Sequence, residues 1–173
     1  MNNKKRIMFT VDDDYYYITI KVIVVLIQLD CYKKKFIDYR KLAFLILFMK
    51  SSENINLLIK SIQDYNTLSI FEREKLISIY YKGCMEQPIV KRVLFYLEKR
   101  GLVKLIKNSK YICVDVLLNS EEEIDNIFLS EQFSEDRKNI DKIYEQFNRI
   151  KSVKYDTFIK RIFGYSEVSK WEC

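Results

Sequence analysis

The sequence predicts a mainly α protein carrying one short β-hairpin. Three observations lead there. Apolar residues recur at helical spacing through most of the chain. One proline and three glycines in 173 residues leave little material for β-rich turn networks. One stretch, EQPIVKRVLFYLEKRGLVKLIKNSKYICVDVLL over 86–118, reads as a helix, a glycine stop and a basic hairpin in succession.

Taken in order, 7–11 suits a short strand, and Asp12, Asp13 and Asp14 after it suit the N-terminus of a coming helix, where anions are favoured. Residues 15–30 form the first helix. Its apolar window, 18–29, is broken by Lys21 and Gln28 and is too short to cross a bilayer, which takes about 20 apolar residues. A second helix covers 38–50. Its segment 42–49, LAFLILFM, is apolar on every side and must be covered all round, by its own domain or by a partner. Phe44, Leu47 and Phe48 are therefore candidate partner contacts. A third helix spans 52–65 with Ile55, Leu58, Ile59 and Ile62 as its stripe.

Ser69 followed three residues on by Glu72 is a capping box, opening a helix to about residue 82. Gly83-Cys84 is read as a turn. Pro88 then suits the first turn of a new helix, with Ile89, Val90, Val93, Leu94 and Leu97 on its apolar side and Gly101 as its stop. Strands at 103–107 and 110–116 flank a tight turn at Asn108-Ser109. Helix, turn, helix and hairpin together make a winged helix. Ser120 and Glu123 offer a second capping box for an acidic helix to about 129. An amphipathic helix follows over 135–150 with Ile140, Ile143, Tyr144, Phe147 and Ile150, and a last one over 155–163 stops near Gly164. The expected division is a helical part at 1–66, a winged-helix module at 67–118, and an acidic connector with C-terminal helices at 119–173.

The net charge of +6 permits anionic partners. Its distribution is uneven, basic over 31–50 and acidic over 119–136. The absence of histidine removes the usual general base, and the three glycines cannot build a phosphate loop. Cys31, Cys84, Cys113 and Cys173 lack metal-site spacing. No enzyme activity, metal or cofactor is expected. The basic N-terminus lacks a following apolar run and cleavage site, so a cytoplasmic protein with reduced thiols is expected.

Winged helices serve many functions, so the faces must decide. At about 100° per residue, Lys91, Arg92, Phe95 and Lys99 lie opposite the apolar stripe, with Tyr96 at the edge. Two uses stay open. Phe95, Tyr96 and Lys91 suit a protein hot spot. Arg92 and Lys99, with Lys104, Lys107 and Lys110 on the hairpin, suit DNA phosphates.

The segments IKVIVVLIQLD, FIDYRKLAFLILFMK and YLEKRGLVKLIKNSKYICVDV, taken with this layout, resemble the middle component of ABC-three-component systems. That group includes the small subunit of Lamassu anti-phage defence. The resemblance covers 21–118 and is one of pattern and layout. It implies a non-catalytic subunit that binds near the heads of an SMC-like ABC ATPase and tethers or restrains an effector, often a nuclease. ATP hydrolysis and DNA cutting would belong to the partners, and DNA would be met through the assembled complex. The alternative is a dimeric winged-helix DNA-binding transcriptional regulator, with the helix at 135–150 supplying the dimer contact.

Overall fold

Helix α1 (Asn3–Gln28) is the first element of the computed structural model, which describes residues 3–119, 126 and 128–164, with side chains from Tyr15 onward. The strand expected at 7–11 is helix instead, and Asp12, Asp13 and Asp14 lie within α1 rather than capping it. No glycine or proline interrupts these 26 residues, so propagation, which adds one hydrogen bond per residue fixed, carries the helix through. Helices α2 (Arg40–Phe48) and α3 (Ser52–Asp64) follow, and Ser51 caps α3 by accepting from Asn54 N–H at 3.2 Å.

Helix α4 (Ile70–Lys99) opens on the expected capping box: Ser69 Oγ accepts from Glu72 N–H, and Glu72 Oε2 accepts from Ser69 N–H at 2.9 Å. It then runs 30 residues without a break. The turn expected at Gly83-Cys84 and the helix start at Pro88 are both corrected. Gly83 is buried because α4 passes against the Phe44 ring: a Cβ at Gly83 would stand 2.3 Å from it. The glycine serves a close helix approach, not a turn. Pro88 sits inside the helix on its exposed side and removes the N–H that the Cys84 carbonyl would receive. The stop at Gly101 is as expected. With φ +80, Gly101 N–H reaches Glu98 O and Leu102 N–H reaches Leu97 O, the paired bonds of a Schellman end.

Strands β1 (Val103–Asn108) and β2 (Cys113–Leu118) pair antiparallel from Val103↔Leu118 to Asn108↔Cys113. The loop between them holds four residues, 109–112, not the expected two. Asn108 caps it by accepting from Tyr111 N–H, and the left-handed residue is the exposed Ile112 at φ +52. The segment before α2 runs along β2 as a rudimentary third strand, with Phe36 and Val116 exchanging both backbone bonds. Most of the described chain is helical (67%), with this one hairpin, so the mainly α class with a short β-hairpin wing holds.

Helix α5 (Ser134–Gln146) buries Ile140 and Ile143, while Tyr144 is exposed. It ends four residues earlier than the expected 150, where Phe147 leaves helical geometry at φ −137 and turns, with Ile150, into the core. Helix α6 (Tyr155–Phe163) ends at Gly164, φ +88, as expected. The capping box at 120–123 and the acidic helix it would open fall largely outside the described residues.

One apolar cluster draws on every helix and on the hairpin. Helix α2 lies at its centre. The Phe44 ring packs against Tyr80, Tyr155, Phe158 and Phe163 with centroids 5.6–6.1 Å apart. Lys41 is also fully buried. Its ammonium donates to the carbonyls of Ile150 and Val153, each at 2.7 Å, and so pins the turn between α5 and α6 onto α2. Burial pushes this lysine down to about 7, against the pull of Asp38 and Asp115. Cys31 and Cys113 are buried free thiols. Among the described residues no single helix is long and apolar enough to cross a membrane.

Candidate protein-docking face

The candidate contacts separate cleanly by burial. Phe44, Leu47 and Phe48 are buried in the core, so α2 is covered by its own chain and presents none of them to a partner. Phe95 and Tyr96 are 48% and 52% exposed, on the outer side of α4. Lys91, Arg92, Lys99 and Arg100 surround them, all exposed. Val90, Val93, Leu94 and Leu97, on the opposite side, are buried as their spacing predicts.

Two of these cations lean on aromatic rings. Lys91 Nζ stands 5.9 Å from the Phe95 ring centroid, and the Arg100 guanidinium 5.2 Å from that of Tyr96. Arg92 donates to Tyr15 Oη at 3.1 Å, which ties this face to α1. No ion pair to a described carboxylate involves Lys91, Arg92, Lys99 or Arg100. The two glutamates of this half of α4 are engaged elsewhere: Glu86 lies 3.7 Å from Lys50, and Glu98 Oε1 accepts from Leu105 N–H at 2.8 Å.

The N-terminal half of α4 is arranged differently. Lys60 pairs with Glu72 and Lys75 with Glu53, each at 2.7 Å, across a cleft of about 430 Å³ between α3 and α4. The Lys60 hydrogen bond, then those from Ser69, hold the Glu72 carboxyl down to about 2. The charges of this cleft satisfy one another.

On the hairpin, Lys104, Lys107 and Lys110 are exposed but do not converge. Strand alternation puts Lys104 and Lys107 on opposite sides of β1, and Lys110 sits on the loop beside the Tyr111 ring at 5.4 Å. A second crevice lies between the hairpin tip and the start of α6, lined by Arg40, Tyr111, Lys154 and Asp156 among others. Its buried wall carries the bidentate Arg40–Asp38 pair (2.9 and 2.6 Å). Asp115 is also fully buried. Burial would raise it, but bonds from Lys35, Asp38 N–H and Asn108 bring its carboxyl below the ordinary value. These groups stitch the segment before α2 to β2.

The structure thus gathers Lys91, Arg92, Phe95, Tyr96 and Lys99 onto one helix face and scatters the hairpin lysines. Sequence reading missed Met85 and Tyr81 on α4 and Arg100 at its C-cap, all exposed. Their signal was the spacing of exposed residues across Pro88, hidden by reading that proline as a helix start. Compared with protein-family models, curated proteins and solved structures, the chain matches none.

Proposed function

We propose that this chain is a non-catalytic, cytoplasmic subunit of an SMC-like ABC ATPase anti-phage defence complex. It docks on the ATPase heads and tethers or restrains an effector nuclease. The observation that carries the docking role is the Phe95–Tyr96 patch within a ring of cations that lack carboxylate partners among the described residues. Large aromatics beside arginine are the composition of interface hot spots, and here they stand on a rigid helix rather than a loop. The ATPase and the effector come from the resemblance of 21–118 to the middle component of ABC-three-component systems. In this reading ATP hydrolysis and DNA cutting belong to the partners, and this chain couples them.

Co-expression of the tagged chain with its neighbouring genes, followed by pull-down and mass determination, tests the proposal. Recovery of a large ATPase and an effector in defined ratio is expected. Recovery of a homodimer alone that shifts duplex DNA contradicts it. That outcome belongs to the second reading, a dimeric winged-helix DNA-binding regulator. One observation favours it: Lys104, Lys107 and Lys110 are exposed on the hairpin, with no ion pair to a described carboxylate.

A further inference from the structure

The outer face of α4 carries more than the patch around Phe95. Tyr81, Met85, Pro88, Arg92, Phe95 and Lys99 follow one another at alternating steps of four and three, and every one is exposed. The same spacing continues upstream through Ser78 and Glu74 to Phe71. Of the large apolar members, Phe71 is 73% and Met85 77% exposed. An average step of 3.5 residues keeps such a seam facing a second helix laid alongside.

Charge then selects the kind of helix. Upstream, lysines and glutamates pair off across the α3–α4 cleft. Downstream, Lys91, Arg92, Lys99 and Arg100 flank the seam without a described carboxylate, and Glu86 and Glu98 are held by Lys50 and the Leu105 N–H. The helix dipole accounts for cations in the last turn, Lys99 and Arg100, but not for Lys91 and Arg92 two turns earlier. A duplex would use the cations and leave Met85, toward the other end of the seam, open to water. A helix with apolar residues at the same repeat and acids beside them uses both.

We infer that the element covering this face is an acidic amphipathic helix of the partner protein, lying along α4 from Tyr81 to Lys99; this rests on the protein-docking reading above. The seam is about 27 Å long at 1.5 Å per residue, so the partner helix needs about five turns. Its apolar residues sit on Met85 and Phe95, and its carboxylates meet Lys91, Arg92, Lys99 and Arg100. This is helix-against-helix recognition with the charges setting register and direction.

Treating the co-purified complex with a zero-length carbodiimide, which joins an amine to a carboxylate, tests the inference, with linked peptides read by mass spectrometry. Links from Lys91 and Lys99 should converge on one partner segment with apolar residues at three-and-four spacing flanked by Asp or Glu. In parallel, Lys91→Glu with Lys99→Glu should weaken the complex about tenfold and flatten its salt dependence, with the circular dichroism of the chain unchanged. A stable complex whose Lys91 and Lys99 link nowhere, or to a segment without that pattern, overturns the inference while the docking reading stands. An intact complex in which the double variant loses only retention of a short DNA duplex overturns it in favour of nucleic acid. Failure to recover any ATPase overturns both.

Discussion

Helix α2 and the C-terminal half of α4 are both dense in large apolar side chains, and both invite the label of an interface. The structure parts them. In α2 every residue from Lys41 to Phe48 is buried, ringed by aromatics of α4 and α6. In α4 beyond Pro88 one side is equally buried, while the other leaves Phe95 and Tyr96 open among cations. Uniform apolarity therefore marks the centre of a core in a chain long enough to cover it. A docking face is marked instead by apolar groups interleaved with cations that form no ion pair with a described carboxylate.

The largest expected effect is at the covered helix. Phe44→Ala removes the ring at the meeting of four aromatic neighbours and should cost about 3–5 kcal/mol in chemical denaturation. Gly83→Val tests the same contact from the other side. Added carbons run into the Phe44 ring, so a loss of about 3 kcal/mol is expected, the upper end for overpacking. Were α2 free to part from α4, both losses would be small.

Lys41 gives a pH signature of the same covered region. Burial lowers it from 10.5 to about 7, so between those values the unfolded chain holds a proton that the folded chain has released. More protons bound to the unfolded state means that stability rises with pH. From pH 7.5 to 8.5 this group should contribute about 1 kcal/mol of added stability, and Lys41→Met should lack that slope. Equal slopes in the two proteins would place the lysine in contact with water.

Phe95→Ala is the counterpart at the open face. It should change stability by less than about 0.5 kcal/mol, as surface substitutions do, and yet sharply reduce ATPase recovery in the pull-down. A loss of stability comparable to that of Phe44→Ala would dissolve the contrast between the two regions.

What could be read from the sequence was local chemistry. Ser69 with Glu72, the stop at Gly101 and the stop at Gly164 act within a turn of their own position, and each stands where the pattern puts it. What could not be read depends on distant contacts. Gly83 looks like a turn residue until Phe44 is brought against it, and Pro88 looks like a helix start until the preceding helix is seen to continue. Tertiary packing there overrides two strong local signals. The same misreading hid the exposed seam, because Met85 and Phe95 fall on one face only when a single helix joins them. The left-handed hairpin residue also defied propensity, which favours Asn or Gly over the β-branched Ile112.

The most direct test of the docking face is photocrosslinking from position 95 in the co-expressed complex, with position 144 on the exposed side of α5 as the comparison. A covalent adduct with the ATPase from position 95, and none from 144, is the predicted result. Adducts from 144 with none from 95 would contradict the account and move the interface to the far side of the molecule's sequence, onto α5.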